Sequence, residues 1–195
     1  MKDAFRRGAI ILTCCVGSLL SAAELTGANA EVVVAPDAPP ATRFAAAEMT
    51  NYLARVLGHE IPLVPAPTEG RYAILLGTNA WSRAAGLRPE SLPRDSYCVK
   101  IGPNRAYIAG CDSPTQDPAR QIAQGRVGHF ERATLFGVYG FLDRHAGVRF
   151  YFPGELGTVV PTAPSVKLQE GSYSVTPRFA RRDGHGRLPP AARAL

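Results

Sequence analysis

Five carboxylates in the second half of the chain are the residues best suited by type to acid–base chemistry: Asp112, Asp117, Glu131, Asp143 and Glu155. Such chemistry takes a pair, one group giving a proton and one taking it, held within reach of the same bond. No spacing among these five forces two of them together. Asp112 and Asp117 lie in a polar stretch where solvated acids and turn formers are common. Asp143 precedes Arg144 near the expected end of a helix and reads as a wet-face residue. Glu155 stands between Gly154 and Leu156. The histidines add no site. His59-Glu60 runs into Ile61-Pro62, and Pro62 rules out the continuous helix that a His-Glu-x-x-His zinc site needs. His129 has no partnered nucleophile. A Gly-x-Ser-x-Gly elbow, a P-loop and a dinucleotide glycine pattern are all absent from the sequence. The sequence therefore assigns no catalytic, cofactor-binding or metal-binding residue, and no cofactor is expected.

Two further residue types bear on chemistry. Cys98 and Cys111 flank an expected hairpin, and whether they share a face depends on its register, which a slip of one residue would reverse. A disulfide and a pair of buried thiols both stay open. Without a histidine at metal spacing they make no zinc site. Tyr72, Tyr97, Tyr107, Phe150 and Tyr151 can stack on flat ligands, but at strand positions they read as core. Trp81 is the exception, because it stands in a loop-like context.

The chain has 195 residues and a formal net charge of +6, but the charge is concentrated at its ends. Residues 178–195 carry five arginines against Asp183, and residues 1–30 carry Lys2, Arg6 and Arg7 against Asp3 and Glu24. Residues 31–177 keep a balance of only +1. A nearly neutral body lacks the basic face that nucleic-acid binding requires.

The first 30 residues have the three parts of a secretory leader: a basic start, an apolar run over Ala9–Ala23, and Ala28-Asn29-Ala30 as an A-x-A cleavage site, with Ser21-Ala22-Ala23 as a second choice. The run falls short of the roughly 20 residues a membrane span needs. Cys14 and Cys15 raise lipid anchoring as the lesser alternative, since Thr13 and Cys14 are poor residues to precede a lipidated cysteine. A secreted or periplasmic domain with no membrane segment after cleavage is expected.

Hydrophobic patterning then divides the chain. Glu31–Ala35 reads as a buried strand closed by Pro36. A helix capped by Asp37 or Thr42 runs to Leu57, with Ala45, Met49, Tyr52, Leu53 and Val56 on one stripe and Gly58 as its stop. Ile61–Val64 and Tyr72–Leu76 are strands, and Ala80–Ala85 is a short helical turn. Ser96–Ile101 and Arg105–Ala109 form a hairpin about Gly102-Pro103-Asn104. Asp112–Glu131 is a long polar loop. A second helix spans Thr134–His145, with Gly137 and Gly140 inside it at a cost of about 1 kcal/mol each, tolerable if the backbone must approach the sheet closely. Gly147 ends it. Val148–Phe152 is expected as a buried aromatic strand. The order β-α-β-β-β-β-α-β predicts an α/β two-layer sandwich, a mixed β-sheet of about six strands with two main helices on one face. Thr158–Tyr173 reads as an extended connector, and the tail from Arg178 as disordered.

Residues Ala133–Gly157, ATLFGVYGFLDRHAGVRFYFPGELG, combine helix, glycines, aromatics and exit in a specific order. Together with TRFAAAEMTNYLARVLG, IPLVP and YAILLG they resemble the N-terminal α/β domain of glycoside hydrolases of the α-glucuronidase and β-N-acetylhexosaminidase type, over about residues 31–177. The resemblance implies an accessory domain at 31–160, with 161–195 as connector and tail into a (β/α)₈ barrel that carries the catalytic acids. That barrel is the implied partner, polysaccharide a further one. A barrel takes about 250 residues, so the chain is expected to be inactive alone. Glu155, and Trp81 beside it in this role, are the implied contacts to the barrel or to the substrate rim. A free-standing carbohydrate-binding module is the alternative, with aromatics led by Trp81 on one face. A fragment without function of its own is a third reading.

Overall fold

The structure, a computed structural model, describes residues 22–125 and 128–178. The basic tail beyond Arg178 and the apolar run of the expected leader as far as Ser21 lie outside the described residues.

The architecture is the expected α/β sandwich, built on a six-stranded mixed sheet. β2 (Ala30–Val34) and β4 (Tyr72–Leu76) form its centre. β2 pairs in parallel with the short β3 (Leu63–Val64) on one side and with β4 on the other, and β4 pairs in parallel with β6 (Arg105–Gly110). β5 (Tyr97–Ile101) joins β6 as the antiparallel hairpin, and β10 (Gly171–Val175) closes the edge against β5. The parallel pair β2–β3 needs a crossover, and α1 (Pro40–Leu57) supplies it. The runs Val32–Val34 and Tyr72–Leu76 are apolar on consecutive residues because both sheet faces are covered there. Val32, Ile74, Leu76 and Ile108 point into the main core, whereas Val33, Ala73 and Leu75 point to the opposite face.

α1 and α4 (Ala133–His145) lie side by side on the main-core face. α1 buries Ala45, Met49, Leu53 and Val56, the stripe its 3.6-residue period requires, with Tyr52 only half-buried. Gly58 stops it in the left-handed region at φ 68°, its N–H donating to the Ala54 carbonyl at 2.9 Å. The two glycines inside α4 have a steric reason. A Cβ on Gly137 would stand 2.6 Å from Cγ2 of Ile108, and one on Gly140 would stand 2.1 Å from the Tyr97 hydroxyl. Close approach of α4 to β5 and β6 excludes any larger residue at either site.

Four sequence expectations need correction. First, Ala22–Thr26 is strand β1, antiparallel to β9 (Ser165–Gln169), and Leu25, Val166 and Leu168 enter the main core. Residues 22–30 thus belong to the fold, although the longer leader would include them. Second, the polar loop contains helix α3 (Pro118–Ala123), started by Asp117, whose carboxylate accepts from the Ala119 and Arg120 amides at 2.9 and 3.4 Å. Third, Thr158–Tyr173 is no plain connector. It holds β8 (Thr158–Val159), β9 and the start of β10. Fourth, only Arg149–Phe150 of the expected aromatic strand is paired, as β7 against β8, and this ribbon is separate from the main sheet. The sixth sheet strand is β10. Its exposed Gly-Ser-Tyr-Ser-Val has no hydrophobic pattern, because an edge strand joins through backbone pairing with little side-chain burial.

Candidate functional site

Of the candidate acids, Asp112 and Glu131 are neighbours, while Asp143 and Glu155 are each paired with an arginine. Asp112 is where sequence reasoning missed most. It is no solvated loop acid: Oδ2 accepts from the Thr42 hydroxyl at 2.5 Å and Oδ1 from the Thr134 amide at 3.0 Å. It therefore clasps the first turn of α1 to the first turn of α4 at the carboxyl ends of β2, β4 and β6. Thr42 acts as donor to this clasp, and Pro39, with no side-chain cap, stands at the N-cap. Burial pushes the Asp112 carboxyl above its ordinary range, the Thr42 and Thr134 bonds pull it back, and the neighbouring Glu131 adds to the rise. Each Asp112 oxygen thus accepts one internal hydrogen bond. Asp143 pairs with Arg149 at 2.7 Å and Glu155 with Arg55 at 3.2 Å.

The ribbon β7–β8 is the most unusual surface. Val148 is buried, and Phe150, still 38% exposed, lays its ring against two helices, 5.1 Å from Tyr52 of α1 and 4.9 Å from Tyr139 of α4, edge-on to both. Tyr139 donates to Glu48 at 2.6 Å; burial first, and this carboxylate second, push its phenol up. Arg55 lies over Tyr52 at 5.5 Å and reaches Glu155. The connecting turn is held by the Tyr151 amide donating to the Gly157 carbonyl at 2.8 Å. Gly157 sits so close to Phe152 that a Cβ there would meet the Phe152 carbonyl oxygen at 2.0 Å. From this anchored base the remaining apolar side chains point outward: Tyr151 is 71%, Phe152 57% and Leu156 94% exposed. The expectation of a buried aromatic strand is overturned here. A β-rich aromatic run ended by Pro153-Gly154 carries no alternation to show which face is covered.

Glu155 therefore stands on the rim of an exposed apolar knob, beside the last turn of α1. Trp81 is elsewhere. It belongs to α2 (Ala80–Ala84), whose capping box is formed by Asn79 and Ser82. It packs half-buried on Val33, Ala73 and Leu75, on the sheet face opposite α1 and α4. Its free edge lines a cleft of about 380 Å³ with Asp37, Thr42, Thr78 and Arg83, at the end where α1 starts. Glu155, next to the end of α1, is at the other end, so the structure does not bring the two residues together.

Cys98 and Cys111 are free thiols, Cys98 buried beside Leu87 and Ala109. Cys98 is in register with Ala109, so Cys111 falls one diagonal step away. Diagonal Cα spacings of about 7–8 Å exceed the usual disulfide range of about 4.4–6.8 Å. Burial, with Glu131 next, pushes the Cys111 thiol up. Among the described residues no cluster of three His, Cys, Asp or Glu side chains is arranged to hold a metal, and no helix is long and apolar enough to cross a membrane.

No protein-family model and no curated sequence matches the chain. Solved structures do. A GH115 4-O-methyl-α-glucuronidase with specificity for decorated arabinogalactans superposes with a TM-score of 0.50 at 10% identity, over 80% of this chain and 18% of that one. The GH20 β-N-acetylhexosaminidase of Streptomyces coelicolor A3(2) gives 0.49 at 14% identity, over 82% and 24%. A β-hexosaminidase of Streptomyces plicatus gives 0.48 at 14%, over 82% and 24%. The chain spans less than a quarter of each of these proteins. At such identities the likeness is one of fold alone.

Proposed function

We propose that this domain is a non-catalytic accessory module of a secreted carbohydrate-active protein, and that the knob formed by Tyr151, Phe152 and Leu156 is the face on which a catalytic (β/α)₈ barrel packs. One observation carries the reading: three large apolar side chains stand exposed on a rigid turn, inside the very segment that resembles glycoside hydrolases. Exposed apolar groups gathered on one anchored element mark an interaction surface. Phe150 and the Arg55–Glu155 pair fix the knob's position before any partner arrives, so docking would cost little ordering entropy. The commitment of Asp112, Asp143 and Glu155 to internal partners supports a non-catalytic role. Export would place the domain with extracellular polysaccharide.

A free-standing carbohydrate-binding module with its aromatics aligned on one face is the weaker reading, because Trp81 is half-buried on the sheet while Tyr151 and Phe152 stand at the other end of α1. The deciding experiment co-expresses the chain with the (β/α)₈ barrel domain of an α-glucuronidase or β-N-acetylhexosaminidase and follows amide hydrogen exchange. Slowed exchange over residues 150–157 on association is expected. Unchanged exchange in a formed complex, or polysaccharide hydrolysis by this chain alone that Asp112→Asn or Glu155→Gln abolishes, would overturn the proposal.

A further inference from the structure

The sheet face turned away from α1 and α4 holds a second concavity that the accessory role does not use. It measures about 630 Å³, inside the range of roughly 300–1,000 Å³ usual for small-molecule sites. Two tight turns wall it: Thr68–Arg71, before β4, and Gly102–Asn104, the hairpin turn. The first wall is anchored from behind. Glu31 is fully buried, and its Oε1 accepts from the Thr68 amide at 2.7 Å. The second is anchored by the Tyr72 hydroxyl, which donates to the Gly102 carbonyl at 3.0 Å.

Strand register sets what lines the space. Lys100 stands directly opposite Tyr107 across the β5–β6 hairpin, and Arg105 precedes Tyr107 by two residues, so all three share one face. Tyr107 is half-buried, its ring bridging the two small apolar clusters of this face while also lining the cleft. Around it stand Arg71, Lys100 and Arg105 as donors and Glu24 and Glu69 as acceptors. Asn104, on the hairpin turn, offers both. None of these five charged groups is ion-paired with another; Lys100 donates one bond to the Ala85 carbonyl at 2.7 Å, Arg71 one to the Ala30 carbonyl at 3.2 Å, and Glu24 accepts from the Ser165 hydroxyl at 2.6 Å, which leaves each with further donor or acceptor capacity.

A cleft that bound a simple anion or cation would gather one sign of charge. This one interleaves both signs around the face of an aromatic ring. Such an arrangement matches a ligand whose every polar group both donates and accepts, and whose ring has an apolar face, namely a polyhydroxylated sugar ring. We infer that this cleft is a saccharide-binding subsite for a neutral pyranose, stacked on Tyr107, with hydroxyls shared between Glu69 and Asn104 on one side and Lys100 and Arg105 on the other. The choice of a sugar rests in part on the carbohydrate reading above. The site itself is independent of the knob, which lies on the helix side of the sheet.

The test is a two-dimensional amide NMR titration of the chain with neutral xylo-, cello- and chito-oligosaccharides, and with polygalacturonate as the acidic counterpart. Shifts confined to residues 68–71 and 100–107 are expected for at least one neutral oligomer. Tyr107→Ala should weaken that binding by about tenfold or more, the worth of one aromatic stack. Glu69→Ala, on an exposed turn that leaves the fold intact, should weaken it by a factor of about 3–10. Raising salt from about 0.05 to about 0.5 M should leave the affinity nearly unchanged, because the ligand is uncharged. The inference fails if no neutral oligomer shifts these residues, if the shifts centre on Trp81 instead, if both variants bind as the parent does, or if only polygalacturonate binds and salt removes it. Tyr151→Ser should leave this titration untouched, so loss of the docking face and loss of the subsite are read separately.

Discussion

Asp112→Ala should destabilise the domain by about 2–4 kcal/mol. The side chain accepts two hydrogen bonds, from the Thr42 hydroxyl at 2.5 Å and the Thr134 amide at 3.0 Å, and these tie the first turns of α1 and α4 to the end of β6. A bond to a charged acceptor contributes about 1.5–3 kcal/mol, and truncation leaves both donors without a partner in a poorly hydrated place. Desolvation of the carboxylate offsets part of this sum, which is why the total is set below the upper bound. For a domain of this size the loss corresponds to a melting temperature lower by roughly 5–15 °C. Asp112→Asn separates shape from charge. Its amide oxygen still accepts from Thr134, and the Thr42 hydroxyl can turn to accept from its NH₂, so the cost at neutral pH should stay under about 1 kcal/mol.

The pH dependence has a definite sign. Burial raises the Asp112 carboxyl above its unfolded value near 3.9. The folded state therefore binds the proton more tightly than the unfolded chain. The stability this linkage adds is fully present below the unfolded value and is lost as pH rises through the raised folded one. Asparagine cannot titrate, so the stability of the parent relative to Asp112→Asn should increase on acidification from about pH 7 to about pH 4. Thermal melts followed by circular dichroism at several pH values measure both effects. An Asp112→Ala variant within about 0.5 kcal/mol of the parent would refute the clasp, and a parent advantage that grows toward alkaline pH would refute burial as the dominant influence on this carboxyl.

Other outcomes follow from the packing. The proposed export predicts a mature chain that begins at Glu24 when its N-terminus is sequenced: a cut after Ala30 would strip β1 from β9 and open the core at Leu25, whereas a cut after Ala23 keeps Leu25. A chain starting at Glu31 should accordingly melt at least about 5 °C below one starting at Ala22, since burying one leucine is worth about 1.5–3 kcal/mol before strand pairing is counted. Gly140→Ala should lose about 1–3 kcal/mol in denaturant titrations despite alanine's better helix propensity, because its Cβ meets the Tyr97 hydroxyl at 2.1 Å. Adding Tyr97→Phe removes that oxygen and should restore most of the loss; no rescue would mean that the Tyr97 ring itself, whose Cζ stands 3.0 Å from the added Cβ, dominates. Replacing Tyr151, Phe152 and Leu156 together by serine should move stability by less than about 1 kcal/mol, since all three are exposed, while lowering the binding of a hydrophobic dye. Phe150→Ala, at a ring laid against Tyr52 and Tyr139, should cost more than the triple change in the same melt.

The parts legible in the sequence are those where one residue's burial follows from its neighbours' pattern. Tyr72–Leu76 is apolar on five consecutive residues, and only a strand covered on both faces has that pattern in so short a run. The α1 stripe fixes a helix and its buried side at once. Even the α4 glycines were informative, because two helix-weakening residues four or fewer positions apart invite a reason, and contact with Ile108 and Tyr97 supplies it. Illegible parts depend on pairs far apart in the chain. Asp112 looks like any loop acid until the fold brings Thr42, seventy residues away, to its carboxylate. Trp81 looks like a loop aromatic until α2 turns it onto Val33 and Leu75. β10 buries only Tyr173, and that in part, so its ladder with β5 is what identifies it.

The hairpin aromatics are a different failure. Phe150, Tyr151 and Phe152 have the composition of a core strand, yet only the first has a place between the helices. A sequence composed for burial but left open by its own domain keeps its apolar surface at a cost in solubility that mutation to polar residues would remove. Retaining that surface on a turn that Phe150, Gly157 and the Arg55–Glu155 pair hold in one shape is what distinguishes a docking face from a poorly filled core. Phe150 holds the base of the turn against Tyr52 and Tyr139 while Tyr151, Phe152 and Leu156 stand exposed above it, so their burial signal points outward, to a surface the proposed barrel would supply.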